Sequence, residues 1–228
     1  MKTKILLLCG FLLTSISCKK DEPSVDLQKG LISYFNFDDN LKDQKGYASD
    51  GIPTGNPTFT GGKIGKAITF DGTFQTVEFT ANPSQSPNGI STSFWINYQP
   101  FANDGFNRYF FWLKDKNNSC FNTIIALNAT SFSTYQCDEL NAPISNIGPN
   151  QWNQIVSTFD GQTVKVYLNG LIISTHTLPG GGTTSSYFSQ LILNNYVIGK
   201  SLVGSLDELY IYNRALSQAE VTQLYNLK

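Results

Sequence analysis

Two tight-turn signals constrain this chain more than any other feature of its sequence. The segment WNQIVSTFDGQTVKVYLNGLIISTHTL contains Asp160-Gly161 and Asn169-Gly170, and each pair supplies the positive φ angles that a type I′ hairpin turn needs. They predict an antiparallel meander with strands at roughly 152–159, 162–168 and 171–177. In the middle strand apolar and polar residues alternate, which predicts that one face of this sheet is buried.

The same pattern of short strands and turns runs from Leu31 to the end of the chain. Further strands are predicted at LISYFNF, KAITF, TVEF, SFWINY, YFFWLK and YVIGK, separated by Gly, Asn, Asp and Pro. One helix is predicted, with Ser217 as its N-cap, Glu220 three residues later, and an end near Tyr225. The chain is therefore expected to be an all-β, two-sheet antiparallel sandwich with one short C-terminal helix.

Charge excludes one class of partner. Sixteen basic and 17 acidic residues give a net charge of -1, and charged residues make up 14% of the 228 residues. Beyond Lys19-Lys20 the sequence has no cluster of basic residues. A nucleic-acid-binding protein needs a basic patch or stripe, so this function is not expected.

The first 29 residues are predicted to be an export signal and a tether. Two lysines, the apolar run ILLLCGFLL and small residues precede Cys18. Cys18 resembles the lipidated cysteine of bacterial lipoproteins, although Ser15 stands where these usually have Leu, and KKDE resembles the surface-export tag of Bacteroidetes lipoproteins. The expected parts are a signal peptide at 1–17, a lipid-anchored tether at 18–29 and one domain at 30–228, exposed on the bacterial outer membrane. A signal peptide cleaved without lipidation is the alternative.

Two cysteines remain in the predicted domain, Cys120 and Cys137. If Asn128-Ala129 is a two-residue turn, Leu127 faces Thr130 and the two cysteines face each other. This register places them close enough for a cross-strand disulfide, as expected in an exported protein. Two reduced, buried thiols are the alternative.

Acidic residues do not form a recognisable catalytic motif. Glycosidases use two carboxyl groups on either side of the scissile bond, but no two of the five glutamates lie within four residues of each other. Asp207-Glu208 is an adjacent pair, and neighbours on a regular strand point to opposite faces. Glu208 is then expected to face solvent beside Tyr210. His176 is the sole histidine, which excludes multi-histidine zinc sites.

Five segments together resemble the laminin-G-like, concanavalin A-like jelly-roll domains of secreted bacterial proteins. They are ISYFNFDDNLKDQKGYASDG, GGKIGKAITFDGT, STSFWINYQP, WNQIVSTFDGQTVKVYLNG and GSLDELYIYNRALSQAEVTQLYN, in the order the family has them. The resemblance implies two antiparallel sheets packed face to face, with the N- and C-terminal strands in the same sheet.

The resemblance also implies a structural calcium ion where the ends of the chain meet. Calcium binds six to eight oxygens, and the resemblance assigns Asp38, a carbonyl near Gly65, and Asp207 as ligands. The alternative is that Asp38 and Asp207 bind the amides of turns, a common role of aspartate.

Binding remains the expected function. The loop FANDGFNRY offers Asp104, Phe106, Asn107 and Arg108 as a candidate ligand-contact surface, with an ordinary hairpin loop as the alternative. The sequence favours a non-catalytic module that recognises glycans or mediates adhesion on a surface lipoprotein, with lipid as its sole link to the membrane. A glycoside hydrolase and a protein-binding spacer are the alternatives, since a fold alone does not determine function. The oligomeric state is not predicted.

Overall fold

A computed structural model describes residues 25–80, 89–101, 108–115, 123–127, 132–136, 139–144, 147–177, 188–195 and 203–227. Fifteen strands and one helix lie in these ranges: β1 Leu31–Phe35, β2 Ile52–Thr54, β3 Thr58–Gly61, β4 Lys66–Asp71, β5 Thr76–Thr80, β6 Ile90–Tyr98, β7 Arg108–Asp115, β8 Thr123–Leu127, β9 Phe132–Gln136, β10 Glu139–Ile144, β11 Asn153–Phe159, β12 Thr163–Leu168, β13 Leu171–Thr177, β14 Phe188–Asn195, β15 Val203–Tyr212 and α1 Gln218–Tyr225. All pairings among them are antiparallel.

The strands form two sheets. Sheet A has the order β13-β12-β11-β6-β15-β4-β3, with β1 also paired to β15, and sheet B has the order β10-β9-β8-β7-β14-β5-β2. The predicted meander is confirmed as β11, β12 and β13. The N- and C-terminal strands share a sheet, as expected, because Phe35 lies opposite Leu209 in the β1–β15 pair.

The main core lies between the two sheets. Phe94 of sheet A stacks on Phe111 of sheet B with ring centroids 5.2 Å apart, and the rings of Phe35 and Phe79 meet at a tilt with centroids 4.4 Å apart. All four rings are at most 1% exposed. Each such ring pair contributes about 1 kcal/mol beyond the burial of its apolar area, so the aromatic residues of these strands hold the sheets together.

Helix α1 covers part of the outer face of sheet A. Its Val221 and Leu224 pack with Val156, Tyr167 and Tyr212 in a second buried cluster. The sequence predicted one buried face for the meander, but Tyr167 is 2% exposed on the opposite face from Val166. The apolar face is buried as predicted, but the opposite face is partly buried as well, because the helix adds a second layer to the sheet. The predicted start of the helix is confirmed, since Ser217 and Glu220 form a capping box.

The pairing of β8 with β9 differs from the sequence prediction. Leu127 lies opposite Phe132 rather than Thr130, so the β8–β9 connection is not the two-residue turn that was predicted. Cys120 and Cys137 lie outside the described residues, and their disulfide stays a prediction. The predicted strand YVIGK, at 196–200, is also outside them, whereas β14 was not predicted.

Candidate functional site

A bulge in β15 places two acidic residues on one face of sheet A. Both Leu206 and Leu209 belong to the main core, and strict alternation would leave an even separation between two core residues. Between Asp207 and Tyr210, two residues of β15 lie opposite a single residue of β6, which defines a β-bulge in β15. Within the bulge, Glu208 has a φ of 52°. The extra residue turns Asp207 and Glu208 to the same side, so the expectation that they point to opposite faces was wrong.

Glu208 is buried rather than exposed to solvent, which corrects a second expectation. It is 4% exposed, and its carboxylate accepts hydrogen bonds from the hydroxyls of Tyr34 at 3.0 Å and Tyr210 at 2.5 Å. The two tyrosine rings stack with their centroids 4.5 Å apart. Burial raises the pKa of Glu208, and the hydrogen bonds from the two tyrosines counteract this rise.

Asp207 is fully buried against the loop that precedes β4. Its Oδ2 accepts a hydrogen bond from the Ile64 amide at 3.0 Å, and its Oδ1 accepts one from the Glu208 amide at 2.8 Å. Burial raises the pKa of Asp207 to about 7, with the Ile64 amide opposing the rise and the charge of Glu208 adding to it. Among the described residues, no basic side chain forms an ion pair with Asp207 or Glu208.

Asp38 reaches the same loop from the end of β1. Its Oδ1 accepts a hydrogen bond from the Lys66 amide at 2.7 Å. Gly65 has a φ of 57°, and a Cβ atom there would lie 2.3 Å from Asp38 Oδ1, so only glycine fits. The structure therefore brings Asp38, Gly65 and Asp207 to one loop, as the resemblance implied, with backbone amides on both carboxylates.

The donor set of this loop meets the basic requirement of calcium, which is oxygen ligands. Asp38, Asp207 and the Gly65 carbonyl supply oxygens, and each oxygen that accepts one amide hydrogen retains another lone pair. Within the described residues no group of three or more His, Cys, Asp or Glu side chains could hold a metal ion. A calcium ion here would therefore take most of its ligands from backbone carbonyls and water.

A separate open cleft of 460 Å³ lies on the outer face of sheet A, beyond the area that α1 covers. Its floor consists of two neighbouring rows across three strands. One row contains Thr69 of β4, Ser205 of β15 and Asn97 of β6, and the next contains Asp71 and Val203. These side chains face outwards because their neighbours in the strands, such as Phe70 and Leu206, belong to the main core.

Hydroxyl and amide groups of the cleft are available to a ligand. Thr60, Thr69 and Ser205 form a chain of hydroxyls with oxygens 2.7 Å apart at each link. In the described part of the chain, the side chains of Asn97 and Gln99 form no hydrogen bond. An amide group carries both donors and acceptors, so the cleft offers both kinds of partner.

Trp152 gives the cleft an aromatic wall. It comes directly before β11, whose Asn153 lies opposite Ile96, and this places it beside Asn97. The Trp152 side chain is partly exposed and makes no hydrogen bond or ring contact with other described residues. A partly exposed indole has an apolar face for packing and an N–H that can donate.

This cleft was not predicted from the sequence. The alternation in SFWINYQP contains a signal, because Asn97 and Gln99 alternate with the apolar Ile96 and Tyr98. The rows themselves were not predictable, because β4, β6 and β15 are far apart in the sequence and their order in the sheet is a tertiary feature.

The ligand-contact loop predicted at 101–109 is described only in part. Arg108 is 6% exposed, and its guanidinium carbon lies 3.9 Å from the centre of the Phe101 ring, so this side chain is packed rather than presented to solvent. Asp104, Phe106 and Asn107, and likewise the predicted lipidation site Cys18, lie outside the described residues. No helix in the described part of the chain is long and apolar enough to cross a membrane.

Solved structures show that the fold is shared with binding domains. Domain 4 of AbnA, an extracellular arabinanase of glycoside hydrolase family 43 from Geobacillus stearothermophilus, was solved in complex with arabinotriose. It is 24% identical with a TM-score of 0.69, and the match covers 86% of this chain and 98% of that domain. A botulinum neurotoxin DC binding domain in complex with SialylT is 17% identical with a TM-score of 0.69, and 88% of this chain is covered.

Botulinum neurotoxin type C, whose cell entry depends on interaction with two ganglioside molecules, is 19% identical with a TM-score of 0.66, and 86% of this chain is covered. The chain spans about half of each toxin chain, 52% and 51%.

No curated protein matches the sequence. A family model described as the concanavalin A-like lectin/glucanases superfamily matches residues 71–222, which is more than half of the chain. The match includes strands β5 to β15 and the first part of α1. The chain therefore belongs to the concanavalin A-like lectin/glucanases superfamily, with a laminin-G-like domain.

Proposed function

We propose that this chain is a non-catalytic glycan-recognition module that binds its ligand in the cleft on the outer face of sheet A. One observation carries the proposal: an open cleft of 460 Å³ combines the unengaged amides of Asn97 and Gln99, a chain of hydroxyls and the partly exposed Trp152. Its volume is in the range of small-ligand sites. Sugars present hydroxyls at their edges and C–H groups on their faces, and this lining matches both.

Binding is favoured over hydrolysis because of where the carboxyl groups lie. A glycosidase needs two carboxyl groups at the scissile bond, about 5 to 9.5 Å apart. Asp71 is the sole carboxylate among the described residues that line the cleft. Asp207 and Glu208 share a face, but they are 0% and 4% exposed, so a polysaccharide cannot reach them in this structure.

A glycan array tests the proposal with the whole predicted domain, 30–228. We expect the wild-type protein to bind at least one glycan class and Trp152→Ala and Asn97→Ala to weaken that binding at least about tenfold, equivalent to 1.4 kcal/mol. Leu171→Ala and Gln162→Ala are controls, since both residues are exposed on the meander outside the cleft. Unchanged binding by both cleft variants would place the glycan elsewhere. No binding to any glycan would favour the protein-binding spacer, and release of reducing sugar would favour the hydrolase.

The calcium ion is a second part of the proposal. Its support is that two neighbouring buried carboxyl groups, Asp207 and Glu208, have no basic partner in the described residues, and that Asp38 and the Gly65 carbonyl lie at the same loop. Asp38, Asp207 and Gly65 would hold the ion. When bound, it would supply positive charge that fixes the loop before β4 against β15.

The cellular context is also a proposal and depends on residues 1–29 alone. The charged start, the apolar run, Cys18 and the KKDE segment favour a lipid-anchored protein on the bacterial outer membrane. Radiolabelled palmitate should enter the wild-type chain and not Cys18→Ala. Equal labelling of both, or of neither, would contradict lipidation at this cysteine.

A further inference from the structure

The charge of the cleft is the feature that bears on which glycans it can bind. Among the described residues that line it, Asp71 is the only charged one. The Asp71 Oδ1 accepts hydrogen bonds from the Thr73 amide at 2.9 Å and from the Thr73 hydroxyl at 2.6 Å. These bonds fix the orientation of the carboxylate, the residue is exposed, and its Oδ2 accepts no hydrogen bond from the described residues. The hydroxyl and amide of Thr73 also lower the pKa of Asp71, so the group is ionised at neutral pH.

Basic side chains of the adjoining loop do not compensate this charge. Lys63 comes two residues after Gly61, which lines the cleft, but its Nζ lies 4.4 Å from the centre of the Trp95 ring. The Nζ of Lys66 contacts the Asp39 carboxylate at 2.7 Å. Both lysines are thus engaged elsewhere, and the lining residues that the structure describes present one negative charge and no positive charge to a ligand.

We propose that the cleft selects neutral glycans and discriminates against glycans that carry carboxylate groups; this inference rests on the proposed function of the same site. An ionised carboxylate accepts hydrogen bonds but donates none. A sugar hydroxyl can donate to Asp71 while its other groups pair with Asn97 and Gln99. A sugar carboxylate cannot donate at all, and it also meets a like charge.

The size of the discrimination follows from Coulomb's law. Two unit charges about 6 Å apart in water repel enough to weaken binding about threefold, and the effect is larger where the ligand displaces water from the site. The repulsion between exposed charges is screened by salt, with a Debye length of about 10 Å at 0.1 M and about 3 Å at 1 M. A charge-based preference should therefore shrink as salt is added.

Matched pairs of ligands test this selectivity. Each neutral glycan that binds is compared with its own C6-oxidised derivative, in which the primary hydroxyl is replaced by a carboxylate and the linkages are unchanged. Dissociation constants are measured by titration calorimetry at 0.05 M and 1 M NaCl. The proteins are wild type, Asp71→Asn, Asp71→Lys and, as a control for an exposed aspartate outside the cleft, Asp50→Asn.

We expect the wild type and Asp50→Asn to bind the oxidised glycan at least about threefold more weakly at low salt. The penalty should fall at high salt and in Asp71→Asn, and Asp71→Lys should reduce it further or reverse it. Circular dichroism of each variant checks that it is folded. Equal or tighter binding of the oxidised glycan by the wild type would overturn the inference, as would a penalty that is the same in Asp71→Asn and at both salt concentrations. Both of these results leave the proposed function standing, whereas failure to bind any neutral or oxidised glycan contradicts the proposed function itself.

Discussion

Replacement of Glu220 by glutamine should destabilise the domain in a pH-dependent way. The Glu220 carboxylate accepts hydrogen bonds from Arg214 Nη1 at 2.9 Å, from the Ser217 amide at 2.7 Å and from the Ser217 hydroxyl at 2.8 Å. It also contacts the second terminal nitrogen of Arg214. Arg214 in turn donates from Nε to the Lys29 carbonyl at 2.8 Å. The substitution therefore weakens both the start of α1 and the connection to the N-terminal segment.

The expected magnitude follows from the pKa of this carboxyl. Partial burial raises it, but the hydrogen bonds from Arg214 and Ser217 outweigh burial and lower the pKa of Glu220 from 4.5 to about 2. One pKa unit corresponds to about 1.36 kcal/mol, so the ionised form is favoured by at most roughly 3 to 4 kcal/mol. The side chains of Arg214 and Glu220 are 24% and 13% exposed, and solvent screening reduces this to about 2 kcal/mol.

The sign of the pH dependence is fixed by the direction of this shift. Because the pKa is lower in the folded state, the stabilisation is fully present above pH 4.5 and is lost as the pH falls towards 2. Urea denaturation should show Glu220→Gln less stable than wild type by about 2 kcal/mol at pH 7, with the difference decreasing between pH 4.5 and pH 2. Asp50→Asn, an exposed carboxylate-to-amide change, is the control and should stay within about 0.5 kcal/mol of wild type. A Glu220→Gln protein as stable as wild type at pH 7, or a deficit that does not change down to pH 2, would refute the reasoning.

Three further outcomes are expected. Gly65→Ala should lose about 2 kcal/mol of unfolding free energy in urea, because alanine is strained at a φ of 57° and its Cβ would meet Asp38. A smaller loss when the same substitution is made in an Asp38→Ala protein would confirm the clash. Equal losses in the two proteins would contradict it. Tyr210→Phe should cost about 1 to 3 kcal/mol by the same measurement, since it removes a hydrogen bond from the buried Glu208 carboxylate, and a neutral effect would show that water replaces the hydroxyl. A chelator should lower the melting temperature of the wild type, and added calcium should restore it. An unchanged melting curve would mean that hydrogen bonds hold Asp38 and Asp207 without an ion.

Local signals in the sequence predicted much of the fold. Asp-Gly and Asn-Gly turns are specified by two adjacent residues, so the meander followed directly from them. The capping box of α1 is equally local, since Ser217 and Glu220 are three residues apart. The proximity of Asp38 and Asp207, which lie at the two ends of the chain, was predicted from the family resemblance. The resemblance carries long-range information that the local pattern lacks.

Only the tertiary structure decided which residues form the sites. Alternation along a strand predicted opposite faces for Asp207 and Glu208, but a bulge is set by how β15 pairs with β6 and β1, and it placed both on one face. The cleft depends in the same way on the order β6-β15-β4, which aligns Asn97, Ser205 and Thr69. The sequence by itself determined the strands, the turns and the helix cap, because those depend on neighbouring residues. Burial and the alignment of side chains across strands depend on residues more than a hundred positions apart, and for that reason they followed only from the assembled sheets.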